Sequence, residues 1–302
     1  MEVSVIIPTL NEERTIGYVL SRIPKKVWKW GEVLVVDSST DRTPIIAEKF
    51  GAKVIRAPKL GKGYAMKIGA QEAKGKILVF LDGDGTDPPE YIPLAAKAAK
   101  SYDVVICARN PRHQQGSYRY KFASYVYMPM LRGLFREIGF EIQGDPLAGF
   151  RAMRKNIWDK LKLKSNDFFI ETEMNIKIIL LGLHVLEIPI PTLPRGDSIF
   201  RSKFLRSVNQ QMRIIRTLLH LKRTKLLSKY NRKAIFTFLS EDIKPEEVDL
   251  FDEECVEEIA LGGIEIIIPG REGLRSYSVT CGYNLLVSQI TFQTGNHKLK
   301  IL

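Results

Sequence analysis

The chain predicts an α/β fold of the Rossmann-like kind, a mainly parallel sheet with helices on both faces. Strand-like and helix-like stretches alternate from residue 3 to residue 108, the order that builds such a sheet. The strand-like runs are short, continuous and apolar, as strands buried on both faces are. Pro8-Thr9, Asp37 and Asp82-Gly83-Asp84 fall at the ends of those runs, the edge where ligands bind in open α/β sheets.

The elements follow in order. Residues 3–7 form an apolar strand stopped by Pro8-Thr9, and Ile16, Val19, Leu20 and Ile23 then fall at helical spacing. Residues 33–36 are a second strand. Asp41 is placed to cap a helix carrying Ile45, Ile46 and Phe50, with Gly51 as its stop. A strand at 53–56, a small-residue helix at 63–73, a strand at 77–81, a helix at 91–100 and a strand at 104–108 complete the alternation. An aromatic-rich amphipathic helix is expected over 118–140, a helix over 170–181 and a strand over 185–188. A long basic helix is expected over 204–227. Leu205, Val208, Met212, Ile215 and Leu219 mark its apolar stripe, and Arg206, Arg213, Arg216, Lys222 and Arg223 lie nearby. Residues 241–258 are strongly acidic, and β-like runs follow at 264–268, 276–281, 285–294 and 298–302. Two domains are expected: residues 1–235, and a small acidic α+β appendage over 236–302.

The net charge is +12, unevenly spread. From residue 241 onward there are five Lys/Arg against twelve Asp/Glu, so the first 240 residues carry +19. Such asymmetry suggests anionic partners: nucleotide phosphates, a phosphorylated acceptor or an anionic membrane surface. No helix-turn-helix, finger or RNP pattern is there to present nucleic acid. Cys107, Cys255 and Cys281 are scattered, which suggests neither a disulfide framework nor a zinc site and fits a reducing, cytoplasmic compartment. The start MEVSVIIPTLNEE resembles a first strand rather than a signal peptide. The apolar stretch 176–190 is broken by Lys177, His184 and Glu187 and is too short to span a bilayer. A peripheral location at the cytoplasmic membrane face is the expectation, and His184 is expected to be a satisfied core residue.

Asp82-Gly83-Asp84 is the strongest local signal for chemistry. Two carboxylates at i and i+2 on a turn leaving a strand suit a hard cation, since Mg²⁺ or Mn²⁺ takes one or two carboxylates plus substrate phosphates. Asp and Gly are also ordinary turn residues, so the pattern gains weight only from its neighbours. Asp37, at a strand end, suits a base or ribose hydroxyls. Gly61-Lys62-Gly63 opens a helix, where free N–H groups and a lysine suit phosphate oxygens; a plain flexible turn fits as well. No G-x-x-x-x-G-K-[ST] and no G-x-G-x-x-G occurs, which removes the main support for P-loop and dinucleotide sites.

The ordered set PTLNEE (8–13), VVDSSTD (35–41), GKG (61–63), FLDGDGTDPPE (80–90), DPLAGFRAMRK (145–155), FFIETEM (168–174) and EIPIP (187–191) resembles family 2 glycosyltransferases. Within that family it is most similar to archaeal dolichyl-phosphate mannose and glucose synthases, over roughly residues 3–230. The resemblance implies a GT-A fold and an inverting, metal-dependent transfer of hexose from a GDP- or UDP-sugar. Pro8, Thr9, Asn11, Glu12 and Asp37 would hold the nucleoside. Lys62, Asp82, Gly83 and Asp84 would face the donor, with Asp84 the main ligand of Mg²⁺ or Mn²⁺. Thr86 stands where the family often has Gln, which weakens direct metal contact there. Arg109, Arg119 and Ser124 would meet the acceptor phosphate, and Arg195 and Lys203 would close over the donor. A polyprenyl (dolichyl) phosphate acceptor is already ionised; a hydroxyl acceptor would need a base, with Asp145 or Glu171 as candidates. A soluble phosphorylated or hydroxyl acceptor, and a non-catalytic nucleotide-sugar-binding protein, are the competing readings. The acidic appendage would pair with a second copy or dock on the basic domain.

Overall fold

The computed structural model describes residues 1–109, 127–191, 193, 207–225, 227, 234–238, 264–270, 273–279, 290–294 and 297–301. The first half alternates as expected: β1 (Val3–Thr9), α1 (Ile16–Ser21), α2 (Lys25–Trp30), β2 (Gly31–Asp37), α3 (Thr43–Lys49), β3 (Lys53–Arg56), α4 (Lys62–Glu72), β4 (Ile77–Phe80), α5 (Ile92–Ser101) and β5 (Val104–Arg109). Then come α6 (Met128–Glu137), β6 (Arg151–Arg154), α7 (Lys155–Leu161), α8 (Ile170–Leu181), β7 (His184–Ile190), α9 (Val208–Thr224) and β8 (Ile235–Phe238). Residues 110–126 lie outside the described residues, so the helix expected over 118–140 is seen only as α6.

These eight strands lie in the order β3-β2-β1-β4-β6-β5-β7-β8. All are parallel except β6, which is antiparallel to both β4 and β5. Four further strands, β9 (Ile264–Gly270), β10 (Gly273–Val279), β11 (Ile290–Thr294) and β12 (His297–Ile301), continue the sheet antiparallel from β8. The domain boundary expected after residue 235 therefore falls at the start of β8, whose Phe236 and Phe238 are buried in the core beside β7.

Strand periodicity divides the core in two. Val5, Ile7, Val33, Val35, Val79 and Leu81 turn to one face under α1, α2, α3 and α5. Ile6, Leu34, Val36, Leu78, Phe80 and Ile106 turn to the other under α4, α6, α7, α8 and α9. Adjacent residues pointing to opposite faces is the period-2 rule of strands, and each fully buried Val, Ile or Leu contributes roughly 1.5–3 kcal/mol. His184 is hydrogen-bonded as expected but half-buried rather than in the core: its Nε2 lies 2.9 Å from the Thr237 hydroxyl, and its ring packs edge-on against Tyr102.

Two expectations are corrected. Strand β6 and helices α2 and α7 were not anticipated. The apolar stripe of α9 is also misplaced: Ile214, Leu218 and Leu221 are buried, whereas Val208 is 65% and Met212 40% exposed. At 3.6 residues per turn the buried row lies about 120° around the helix from the expected one. Packing against α6 selects that row, and Arg213 fixes the rotation by pairing with Asp167 at 2.9 Å and stacking on Phe169. Leu205 lies outside the described residues. Among the described residues no helix is long and apolar enough to cross a membrane.

The boundary makes a test. A chain ended after residue 240 keeps β8 and is expected to melt cooperatively. A chain ended after residue 236 loses the buried Phe238 and is expected to be about 3–5 kcal/mol less stable than the longer truncate. Urea melts of the two measure the difference.

Candidate functional site

Parallel strands put Thr9 and Asp37 side by side at one edge, paired in register. Asp37 is fully buried and saturated with donors: Oδ1 accepts from the Thr9 hydroxyl at 2.8 Å and the Ser39 hydroxyl at 2.5 Å, and Oδ2 accepts from Ser39 N–H at 3.1 Å and pairs with Arg56. Asn11, in the left-handed region at φ 54°, accepts from Thr40 N–H at 2.9 Å and donates its own N–H to Ser39 at 2.7 Å. Glu12 donates its N–H to Thr43 at 2.9 Å, and Asp41 accepts from Thr43 N–H at 3.0 Å just ahead of α3, whose cap position falls on Arg42 rather than on Asp41 as expected. The loops after β1, with Pro8 at its head, and after β2 are thereby stitched into one unit.

Strand β4 delivers Asp82, Gly83 and Asp84 to the same edge. Gly83 has no room for a side chain, since a Cβ there would lie 2.9 Å from the Thr9 methyl. Asp84 Oδ1 accepts from the Thr86 N–H at 3.1 Å and the Thr86 hydroxyl at 2.7 Å, a tight turn that sets the second carboxylate. The Thr86 hydroxyl also accepts from Arg109 at 3.2 Å, so its hydrogen and one of its two lone pairs are engaged.

The Gly61-Lys62-Gly63 expectation needs correction. Helix α4 does begin at Lys62, but the glycines serve close packing: Cβ atoms at 61 and 63 would lie 2.4 Å from Asn166 O and 2.6 Å from Ser165 O. The Tyr64 N–H already donates to Asn166 O at 2.9 Å. Lys62 instead places its ammonium between Asp82 and Glu171, 2.7 Å from each. Burial works to lower its pKa, and the two carboxylates more than offset this and hold the charge. Gly149 lies against the pair, where a Cβ would sit 2.7 Å from Lys62 Nζ and 2.8 Å from both Asp82 oxygens.

Because β6 runs antiparallel, its first residue pairs with Phe80 and Ile106 near the carboxyl ends of β4 and β5. Its preceding loop, with Asp145 and Gly149, therefore reaches the same edge. Arg109, the last residue of β5, joins the two sides: Nη2 meets Asp145 at 3.2 Å, Nε lies 3.6 Å from Asp87, and Nη1 donates to Thr86. Burial acts to lower the Arg109 pKa, but Asp87 and Asp145 reverse this and raise it. Asp87 is 2% exposed, and burial, opposed by Arg109 and aided by Asp82 and Asp84, pushes its pKa up to about 7. Asp145 also accepts from Leu147 N–H at 2.8 Å, so it is both a turn residue and part of the site.

The donor set fits a hard divalent cation, with Asp82 and Asp84 supplying carboxylate oxygens and substrate phosphates completing the shell. Among the described residues no group of three or more His, Cys, Asp or Glu forms a closed metal cage. The structure thus gathers Thr9, Asp37, Lys62, Asp82, Asp84, Thr86, Arg109, Asp145 and Glu171 at one edge. Arg119, Ser124, Arg195 and Lys203 lie outside the described residues. Sequence reasoning missed Asp87, Arg151, Asn175 and the role of Glu187. Glu187, a charge inside a buried strand, carried a visible signal.

Residues 4–161 match the family model described as glycosyl transferase family 2. A dolichyl-phosphate hexose transferase of Haloferax volcanii is 31% identical over 196 residues, covering 65% of this chain and 84% of that protein. A dolichol-phosphate mannosyltransferase of Pyrococcus furiosus is 30% identical over 239 residues, covering 70% of this chain; the chain spans 64% of that relative, less than two thirds. In fold, the chain is similar to glucosyl-3-phosphoglycerate synthase from Mycobacterium tuberculosis, crystallised with Mn²⁺, uridine diphosphate and glucosyl-3-phosphoglycerate (TM-score 0.57, 23% identity, 73% of this chain and 79% of that one). It is also similar to mannosyl-3-phosphoglycerate synthase from Rubrobacter xylanophilus (TM-score 0.55, 17% identity, 92% and 86%).

Glu187 gives a pH test. It is 4% exposed; burial pushes its pKa from 4.5 up to about 7, against the bonds its carboxylate accepts from Gln143 and Gly144 N–H. A raised folded pKa means stability that is present below pH 4.5 and lost as pH rises through about 7. Relative to Glu187→Gln, which carries a constant offset, the parent is expected to lose on the order of 3 kcal/mol across that window and nothing further above it. Chemical denaturation of both proteins from pH 4 to 8 checks the slope.

Proposed function

The chain belongs to glycosyl transferase family 2 and is a hexosyltransferase, and from that premise we propose that it moves a hexose from a nucleotide-diphosphate sugar to polyprenyl phosphate at a membrane surface, with inversion. The observation that carries this reading is the meeting of two loops at one sheet edge. One bears Asp82 and Asp84, the other bears Asp145, and Arg109 bridges them.

On the donor side, the stitched β1 and β2 loops with Pro8, Thr9, Asn11, Glu12 and Asp37 form the nucleoside wall. Asp37 does its part by fixing Thr9 and Ser39. Asp82 and Asp84 would hold Mg²⁺ or Mn²⁺, which when bound supplies positive charge to the departing diphosphate. Lys62 holds Asp82 in place from below. Arg109 lies where charge passes from donor to acceptor, and fixed cations of this kind stabilise a transition state without reorganising.

On the acceptor side, a phosphate monoester brings its own ionised oxygen to the anomeric carbon and needs no strong base. The names of the two archaeal relatives support that acceptor. For a hydroxyl acceptor the base would be Asp145 rather than Glu171, whose carboxylate is 3% exposed and already paired with Lys62. The exposed Val208 and Met212 of α9 and Met130 of α6, with exposed Arg216 and Arg223, support peripheral attachment to an anionic bilayer.

The test is transfer from labelled GDP- and UDP-sugars, with Mg²⁺ or Mn²⁺, into organic-extractable polyprenyl phosphate. Label is expected in the organic phase and is expected to vanish with chelator. Asp84→Asn is expected to cut that transfer by about 10²-fold or more. Label that stays aqueous while nucleoside diphosphate appears would replace the lipid acceptor with a soluble one. No turnover with any donor would favour a binding protein.

A further inference from the structure

The segment 143–150 brings Asp145 and Gly149 to the site, and three buried side chains from elsewhere hold it by its backbone. Glu187, in the middle of β7, accepts from Gln143 N–H at 2.8 Å and from Gly144 N–H at 2.6 Å. Arg151, fully buried at the start of β6, donates to Ala148 O at 2.8 Å and Pro146 O at 3.2 Å. Its third bond goes to Asn175 Oδ1 at 2.8 Å. Asn175, fully buried on α8, in turn donates from Nδ2 to Pro146 O at 2.7 Å. Gly144 must be glycine for this to work, since a Cβ there would lie 2.9 Å from Glu187 Oε1 and 2.6 Å from the Ala108 methyl.

Resting on the transfer reading above, we infer that Glu187, Arg151 and Asn175 form a clamp on the backbone of 143–150 that positions Asp145 against Arg109 and Gly149 against the Lys62–Asp82 pair. The bland account is that any buried loop needs its backbone groups bonded. That account does not call for charge. Arg151 makes all its hydrogen bonds to neutral oxygens, although taking that ion out of water is unfavourable, and Glu187, whose charge burial also opposes, accepts its two from backbone amides. Ions directed at neutral backbone groups give shorter, stronger bonds than neutral partners would. The outcome is a loop fixed in position from three elements, β6, β7 and α8, none of which presents a clamp side chain to substrate. Catalytic geometry is sensitive at this scale: displacement of a reacting group by about 1 Å can reduce rate about 10²-fold.

Asn175→Asp separates positioning from mere folding. It keeps an acceptor for Arg151, now as an ion pair, and removes the only donor Asn175 gives to Pro146 O. In the full chain, amide exchange over 141–150 is expected to speed up at least about tenfold while 77–80 stays protected. The kcat for transfer is expected to fall about ten- to a hundredfold, with the donor KM changed less than about threefold. Arg151→Lys, which keeps the charge and loses the fork, is expected to show the same pattern more weakly and stands in if Asn175→Asp does not fold. Unchanged exchange at 141–150, or faster exchange with an unchanged kcat, overturns the inference. So does a fall in kcat matched by faster exchange throughout the sheet, the sign of a structural role alone. A parent chain that transfers no sugar to any acceptor fails differently: it removes the proposed function, and with it the reaction the clamp would serve.

Discussion

Five carboxylates, those of Asp82, Asp84, Asp87, Asp145 and Glu171, gather at one edge of the sheet, and the partly exposed cations of Lys62 and Arg109 stand among them. Unneutralised, such a cluster would repel itself apart or take up protons. Lys62 is therefore needed to keep Asp82 and Glu171 together, and its own place is set by the start of α4, which glycines let press against the 165–167 backbone. Arg109 plays the same part on the other side, between Asp87, Asp145 and Thr86. The negative edge that suits a divalent cation exists only because two positive groups occupy its interior.

Among β1–β8 one strand, β6, runs antiparallel, and it decides what this edge can contain. Had β6 run parallel to its neighbours, the loop before it would lie at the opposite end of the sheet, away from Asp82. Reversed, it delivers Asp145 and Gly149 to the donor residues. The sheet thus draws one wall of the site from β1, β2 and β4 and the other from β5 and the entry to β6. Where the loop meets β5 its backbone is bonded by the strand, through the Cys107 N–H to Phe150 O at 3.0 Å, and over 143–148 the clamp residues take that part.

Much of this was legible in the sequence. Apolar runs located β1, β2, β4 and β5, a run broken by Glu187 located β7, and carboxylates directly after the runs of β2 and β4 located Asp37, Asp82 and Asp84. What was hidden has physical causes. Strand β6 spells Arg-Ala-Met-Arg, and a guanidinium that turns inward to neutral oxygens has no signature in hydropathy. Gly61-Lys62-Gly63 suggested phosphate, because sequence does not reveal that glycine is there for the approach of a loop about a hundred residues away. Helix α9 has apolar residues on two faces, and only tertiary packing selects Ile214, Leu218 and Leu221 for burial. Asp87 passed unmarked within FLDGDGTDPPE, because only the fold buries it and sets it 3.6 Å from Arg109.

Ions held out of water also give the site a temperature dependence of its own. The free energy of hydrating a charged group becomes less favourable as temperature rises, so the penalty for burying Lys62, Arg109, Arg151, Glu171 and Glu187 shrinks on heating. Apolar packing shows no matching gain, since hydrophobic stabilisation per unit area levels off. The charged edge is thus relatively more secure in a warm cell than in a cold one.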